Sequence, residues 1–190
     1  MSTIQILNRE TLSDKKYPLK NFTYLKPDAE GNMKEQKTEV YYRPDAAAIL
    51  LYDKEKQKLL LTKQFRLPTY LNGNESGYLT EACAGLIDDG ETPEQTVIRE
   101  AKEELGVDIS NIDKVGAVYT SGGGITEYLH LFIAAYDSLA FKPTMGGLAA
   151  EGEIIEPFEL NFAEAKTKLK NGELNDAKTV MLLQYYFLFC

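Results

Sequence analysis

The sequence is poor in the residues that build disulfide scaffolds and zinc sites. It has two cysteines, Cys83 and Cys190, one histidine and no tryptophan. Two cysteines cannot form a zinc knuckle, and a small secreted scaffold would carry more of them, so the composition favours a reducing compartment. The single histidine, His130, alternates with apolar residues in a candidate strand, and we interpret it as structural.

Long hydrophobic runs are also missing. The most apolar segment, Val180 to Cys190, is interrupted by Gln184 and is far shorter than the ~20 residues that a membrane-spanning helix needs. No basic region precedes a long apolar stretch near Met1, so we expect no signal peptide. These features predict a soluble, cytoplasmic protein with no membrane partner.

Basic residues are outnumbered by acidic ones. The counts are 21 Lys plus Arg against 29 Asp plus Glu, a net charge of −8. A general nucleic-acid binder needs a basic footprint to neutralise phosphates, so this balance argues against a nucleic-acid partner. A phosphate-bearing ligand would need locally placed Arg or Lys side chains, or bound cations.

The 190 residues, with 44% hydrophobic and 26% charged, have the composition of an ordinary folded chain. Residues 1–44 predict an N-terminal β arm that is part of the same unit as a main domain over residues 45–190. Its strand candidates are residues 21–25 and 38–42, separated by turn residues. Further strands are predicted at residues 46–52 and 58–62, which form a hairpin, and at 78–83, 115–120 and 128–136.

Three helices have recognisable ends. Thr92 and Gln95 form a capping-box pattern, and Gly106 is a typical stop, so a helix is predicted from Pro93 to Leu105. Phe162 to Lys170 and Asp176 to Phe189 are predicted as two more. Strands around a central helix followed by two helices predict an α+β fold, with a mixed sheet between helical layers.

The central helix carries a cluster of acidic residues. Glu100, Glu103 and Glu104 lie on one face, which also borders the apolar sector of the helix. Arg99 precedes Glu103 by four residues and can hold its carboxylate, and Gly85 permits a tight approach of the preceding backbone. A solvated acidic face is the simple alternative. Clustered carboxylate and carbonyl oxygens are what Mg²⁺ and Mn²⁺ prefer.

The run from Gly85 to Val107 resembles the Nudix box, GX5EX7REUXEEXGU, at every fixed position. The resemblance implies the Nudix fold, an α/β/α sandwich with a mixed β-sheet. It also implies metal-dependent hydrolysis of a nucleoside diphosphate linked to another group.

Segments outside the box resemble a narrower group. Residues 64–66 are similar to a segment of ADP-ribose and sugar-nucleotide pyrophosphatases, whereas residues 71–77, 81–85, 121–127 and 176–180 resemble the GDP-mannose pyrophosphatase subgroup. This implies hydrolysis of GDP-mannose to GMP and mannose 1-phosphate. An ADP-ribose pyrophosphatase that yields AMP and ribose 5-phosphate is the alternative. A non-catalytic nucleotide-sensing Nudix module is a remote third, because such modules commonly lose box glutamates that are present here.

The family resemblance implies roles for individual residues. Glu100, Glu104, Glu153 and the Ala84 carbonyl would hold Mg²⁺, which Mn²⁺ can replace. Glu103, paired with the catalytic Arg99, would be an organiser that polarises a ligand or water. The general base would be Glu103 or one of Glu151 and Glu153. A plain solvent-exposed acidic loop is the alternative for Glu153.

Substrate contacts are implied in the same way. Arg66 would clamp the phosphates, with a strand-end salt bridge as the alternative, and Tyr17 would stack on the base or simply pack. The subgroup carries a basic residue where Thr38 stands, which puts one contact in doubt. The resemblance also implies a homodimer in which the N-terminal arm reaches the partner. The remaining implied contacts are Lys37, Glu39, Ala84, Gly85, Leu86, Glu104, Glu127, Gly152, Glu153 and Lys178.

Overall fold

The structure is a computed structural model that describes residues 4–147 and 154–190. The chain divides into two compact units. The first contains Met1–Asp45 and Tyr119–Tyr128, and the second contains Ala46–Val118 and Leu129–Cys190. No sequence pattern indicated that Tyr119–Tyr128 would cluster with the first unit.

The first unit is built on a three-stranded antiparallel sheet in the order β1-β2-β3. Its strands are β1 (Gln5–Asp14), β2 (Pro18–Pro27) and β3 (Met33–Tyr41). Asp28 shapes the β2–β3 turn, because its Oδ1 accepts hydrogen bonds from the amides of Glu30 and Asn32 at 3.0 and 2.8 Å. The segment 119–128 joins through Tyr41, whose amide donates to the Gly124 carbonyl at 2.8 Å.

The second unit contains a seven-stranded mixed sheet, which confirms that prediction. The main path runs β10-β5-β4-β9-β8, with β6 paired to β5 and β7 paired to β4. The central strand β4 pairs parallel with β9 and antiparallel with β5 and β7. The strands are β4 (Ala46–Asp53), β5 (Lys58–Phe65), β6 (Tyr78–Glu81), β7 (Cys83–Leu86), β8 (Ile112–Tyr119), β9 (Tyr128–Ala135) and β10 (Ile155–Asn161).

Helices cover both faces of this sheet. Alternate residues of β4 point to opposite faces, so Ala48 and Leu50 join one buried cluster while Ile49 and Leu51 join the other. The first cluster includes side chains of α3 (Phe162–Lys170) and α4 (Ala177–Phe189), and the second includes side chains of α2 (Pro93–Leu105). The second unit is therefore the α/β/α sandwich that the sequence predicted.

Some helices and strands of the structure were not predicted from the sequence. The five-residue helix α1 (Leu67–Leu71) is too short for a recognisable period, and β10 contains Pro157, a residue that is uncommon inside strands. β10 is an edge strand, where proline is tolerated because one side of the strand needs no ladder partner. In the described ranges, 4–147 and 154–190, no helix is long and apolar enough to span a membrane.

Candidate active site

Helix α2 is fixed at both ends by the predicted caps. Thr92 Oγ1 accepts from the Gln95 amide at 3.2 Å, and Gln95 Oε1 accepts from the Thr92 amide at 2.8 Å. Gly106 adopts φ +67°, the left-handed conformation that favours glycine at a helix C-terminus. These caps set the length of the helix, and the buried side chains of Val97 and Ala101 set its rotation.

Arg99 links three carboxylates on and near this helix. Its Nε and Nη2 donate to the two carboxylate oxygens of Glu91 at 2.9 and 3.0 Å. Its Nη1 donates to Glu100 at 2.7 Å and to Glu103 at 3.0 Å, and Nη2 also reaches the Leu86 carbonyl at 3.2 Å. The hydrogen bonds that Arg99 donates to Glu91, and then those to Glu100 and Glu103, raise the pKa of Arg99. The predicted Arg99–Glu103 contact is therefore present, as one arm of a wider network.

Glu91 braces the loop that leads into α2. Hydrogen bonds from Arg99 and from the Thr96 hydroxyl lower the pKa of Glu91 to about 2. The Asp88 amide adds a long contact at 3.4 Å. Glu91 is thus ionised at any physiological pH, and it ties the loop to the second turn of the helix.

Glu104 is the most buried carboxylate of the box, with 8% of its surface exposed. Burial, assisted by the charge of Glu100, raises the pKa of Glu104 to about 7, although Cys83 and the Ala84 amide act against the increase. Its Oε2 atom is buried and has no hydrogen-bond partner in the described part of the chain. A buried carboxylate oxygen left in this state is a position that a cation would satisfy.

Gly85 makes room for Glu100. A Cβ atom built at Gly85 would lie 1.7 Å from Glu100 Oε1, so any other residue would displace that carboxylate. Glu100 and Glu104 are one turn apart on α2, and β7, which carries Ala84 and Gly85, passes beside that turn.

These donors fit a hard divalent cation. Two carboxylates, one of them with an unsatisfied buried oxygen, and a neighbouring strand with carbonyl groups form an all-oxygen set of the kind that Mg²⁺ and Mn²⁺ prefer. Within residues 4–147 and 154–190, no group of three or more His, Cys, Asp or Glu side chains forms a metal site. The predicted third acidic ligand, Glu153, lies outside the described residues, together with Glu151 and Gly152.

The residues that flank this segment lie against α2. Gly146 and Ile155 exchange backbone hydrogen bonds of 2.9 and 3.1 Å. A Cβ atom at Gly146 would lie 2.2 Å from the Glu104 carbonyl oxygen, so the backbone at Gly146 packs directly on the last turn of α2.

A second charged cluster surrounds Glu81, a residue to which sequence reasoning gave no role. Arg66 Nε donates to Glu81 at 2.7 Å, and the Lys178 ammonium donates to the other carboxylate oxygen. Lys178 also donates to Asp176 at 3.1 Å. Burial alone would raise the pKa of Glu81, but the charges and hydrogen bonds of Lys178 and Arg66 together lower it. Arg66, Glu81 and Lys178 lie in segments 64–66, 81–85 and 176–180, which resemble related pyrophosphatases, but nothing in the sequence indicated that they meet.

Thr179 fastens the start of α4 to this cluster. Its hydroxyl accepts from the Ala82 amide at 2.7 Å and donates to Asp176 at 2.6 Å. Thr179 is fully buried, and Asp176 caps the helix by accepting from the Thr179 amide at 3.0 Å. The cap therefore sets the position of Lys178 beside Glu81.

The other predicted contacts lie in the first unit. Tyr17 packs edge-on against Tyr41, with ring centroids 6.0 Å apart, and the Arg43 guanidinium lies 5.2 Å from the Tyr17 ring. Glu127 pairs with Arg43 at 3.1 Å. The unit thus holds the aromatic ring and the acidic residue through a shared arginine.

Three more predicted contacts are consecutive residues of β3. Lys37 and Glu39 are exposed, whereas Thr38 is half-buried and its hydroxyl lies 3.3 Å from the Tyr24 hydroxyl. Lys37 and Glu39 alternate with Thr38, so their side chains point to the opposite face of the sheet.

Comparison with known proteins identifies the family. Residues 42–183 match the NUDIX domain family. The chain belongs to the Nudix family. The match confirms the resemblance that the box indicated, and members of this family generally depend on divalent metal ions.

Two relatives within this family are similar over nearly their whole length. The GDP-mannose pyrophosphatase of Cronobacter sakazakii is 44% identical over 182 residues, which cover 96% of this chain and 94% of that protein. The GDP-mannose pyrophosphatase of Pectobacterium atrosepticum is 45% identical over 184 residues, covering 97% and 94%. A crystal structure of an ADP compounds hydrolase superimposes with a TM-score of 0.73 at 19% identity, covering 97% of this chain and 92% of that one. It shares the fold of this Nudix protein.

Proposed function

We propose that this Nudix protein is a pyrophosphatase that hydrolyses GDP-mannose to GMP and mannose 1-phosphate in the presence of Mg²⁺. The buried, unsatisfied Glu104 oxygen beside Glu100 and the Gly85 cradle carries the hydrolytic part of the proposal. The two relatives named for GDP-mannose support the choice of substrate. ADP-ribose is the alternative substrate, because the box and Arg66 serve either reaction.

Glu100, Glu104 and the Ala84 carbonyl would hold the divalent ion. When bound, such an ion neutralises the diphosphate and lowers the pKa of a bound water. Arg99 keeps Glu100 in place through a 2.7 Å hydrogen bond, which preorganises one ligand before substrate arrives.

The chain's own residues would then bind and activate the reactants. The Arg66 guanidinium binds phosphate oxygens in a bidentate manner, and Lys178 adds a second positive charge. Glu103 accepts the water proton, since its side chain is 43% exposed and held by Arg99. Glu151 and Glu153 are the alternative acceptors, and glutamine variants at the three positions separate them.

The remaining assignments belong to the same proposal. Tyr17, Lys37, Glu39 and Glu127 of the first unit contact the nucleotide or sugar, in a homodimer whose N-terminal arms reach the partner. Light scattering tests the assembly, because a mass near the 21.3 kDa of one chain at micromolar concentration would contradict the dimer.

The deciding experiment offers GDP-mannose, ADP-ribose and other nucleoside diphosphate sugars to the purified protein, with Mg²⁺ or with EDTA, and separates products by chromatography. We expect GMP and mannose 1-phosphate, and only when Mg²⁺ is present. Faster turnover of ADP-ribose would transfer the assignment to the alternative. Nucleotide binding without hydrolysis of any substrate would indicate a sensing module.

Glu100→Gln tests the metal site directly. Loss of a ligand charge should lower turnover by at least about 100-fold, since even residues behind a metal ligand commonly contribute 10- to 100-fold. Glu94→Gln is the matched control, because Glu94 lies in the first turn of the same helix and outside the Arg99 network. Turnover close to wild type in Glu100→Gln would remove Glu100 from the site.

A further inference from the structure

Glu81 is a buried carboxylate outside the Nudix box. It ends strand β6 with 4% of its surface exposed, and cations from two other elements converge on it. Arg66 follows strand β5 directly, and Lys178 lies in the first turn of α4. One carboxylate therefore bridges three elements of the second unit.

Stability alone does not account for this arrangement. A buried ion cluster is often replaceable by apolar side chains without loss, because desolvation of the charges offsets their attraction. The Thr179 hydroxyl already accepts a hydrogen bond from the amide of Ala82, the residue after Glu81. This bond holds α4 in place without a charged cluster. The buried carboxylate is better explained by a role in holding the two cations in place.

The exposed fraction of the three side chains increases from Glu81 to Lys178 to Arg66. The Glu81 side chain is 5% exposed, Lys178 is 13% exposed and Arg66 is 38% exposed. The Glu81 carboxylate is thus the most deeply buried member of the cluster, and Arg66 has the most exposed side chain. The charge of Arg66 acts to lower the pKa of Glu104, so the cluster lies within electrostatic range of this carboxylate of α2.

We propose that Glu81 is a positioning residue for the substrate diphosphate, which it serves by holding the Arg66 and Lys178 head groups side by side. The inference rests on the proposed function, since it takes Arg66 and Lys178 as phosphate-binding residues. Two cations held in advance at one site spare the substrate the entropy of ordering them. We therefore expect Glu81 to affect substrate binding and to leave the chemical step largely unchanged.

A purely electrostatic role predicts the opposite sign. If Glu81 only neutralised the two cations, its removal would leave the site more positive and would tighten binding of a diphosphate. If Glu81 positions them, its removal frees Arg66 to move away from Lys178, which Asp176 still holds, and weakens binding. The direction of the change in KM therefore separates the two roles.

The test is Glu81→Gln in the full-length protein, with GDP-mannose and Mg²⁺. We expect KM to rise about tenfold or more while kcat stays within about threefold. In an Arg66→Ala background the same substitution should change KM by less than about twofold, because Arg66 is gone and Asp176 still holds Lys178 at 3.1 Å. An unchanged or lower KM in the single variant would overturn the proposal.

Glu159→Gln is the matched control. Glu159 pairs with Lys58 at the opposite end of β5, so this variant also removes a partly buried carboxylate from an ion pair. It should leave KM within about twofold of wild type, and an equal rise in KM in both variants would assign the effect to general loosening of the sheet.

Circular dichroism establishes whether the variants fold. If Glu81→Gln does not fold, Glu81→Asp carries the test, because it keeps the charge and withdraws it by one methylene. A KM at least about threefold above wild type would then support positioning, and an unchanged KM would refute it. Wild-type protein that fails to hydrolyse GDP-mannose contradicts the proposed function itself, whereas active wild type with unchanged KM in the variants contradicts only the role of Glu81.

Discussion

Replacing Glu104 by glutamine should stabilise the protein when divalent metal is absent, and the gain should depend on pH. Burial is the main reason that the pKa of Glu104 is raised from its ordinary value of 4.5 to about 7. Between these two values the folded protein holds a proton that the unfolded chain releases. Stability is therefore lost as pH rises from 4.5, and the loss is complete above pH 7.

The magnitude follows from the two pKa values. The interval from 4.5 to about 7 corresponds to about 3 kcal/mol at about 1.4 kcal/mol per pH unit. Glutamine has no charge to desolvate, but its buried amide costs about 1 kcal/mol at every pH. The variant should thus be slightly less stable than wild type at pH 4.5 and about 2 kcal/mol more stable at pH 8.

Urea unfolding in EDTA, followed by circular dichroism from pH 4.5 to pH 8.5, measures this difference. Groups that do not interact with Glu104 cancel in the comparison, so the remaining slope belongs to Glu104 and its close neighbours Glu100 and Cys83. Added Mg²⁺ should reverse the order, because it stabilises wild type and has one ligand fewer in Glu104→Gln. A difference that stays flat across this range, or a variant that is less stable at pH 8, would refute the reasoning.

Three further substitutions test neighbouring parts of the site. Gly85→Ala places a methyl group on the Glu100 carboxylate and should lower turnover by about 100-fold with a small change in melting temperature, whereas Gly116→Ala, which has open space, should change neither. Arg99→Lys replaces a fork that reaches three carboxylates by a single ammonium, so kcat/KM should fall about 10- to 100-fold; an unimpaired enzyme would show that the network is dispensable. Thr179→Val leaves the Ala82 amide buried without an acceptor and should reduce the free energy of unfolding by about 1–3 kcal/mol in urea titrations. A reduction of less than about 0.5 kcal/mol would show that this hydrogen bond does not stabilise the protein.

Local signals in the sequence were enough to predict the central helix. Thr92, Gln95 and Gly106 specify both ends of α2, and the structure has the predicted bounds of Pro93–Leu105. The same holds for α3, whose bounds also agree. Such signals are absent for α1, which has five residues and no buried side chain. They are misleading for β10, because the effect of a proline depends on whether the strand is at an edge, which only the assembled sheet decides.

In the site too, contacts between residues close in the sequence could be predicted, whereas contacts between distant residues could not. The Arg99–Glu103 contact joins residues one helical turn apart and is visible in the sequence. The Glu81 cluster joins residues that are 15 and 97 positions apart, so no local pattern could reveal it. Glu104 was predicted as a metal ligand, but its burial depends on the sheet and the helix together, and its raised pKa could not be read from spacing.

Helix α4 has a practical consequence for labelling. Its first turn holds Lys178 beside Glu81, and its 13 residues extend about 20 Å to Cys190. Cys190 is exposed and Cys83 is buried, so a thiol-reactive fluorophore would attach at one place only. A dye there would lie at the opposite end of α4 from Lys178, the proposed phosphate-binding residue, and would leave the proposed site free.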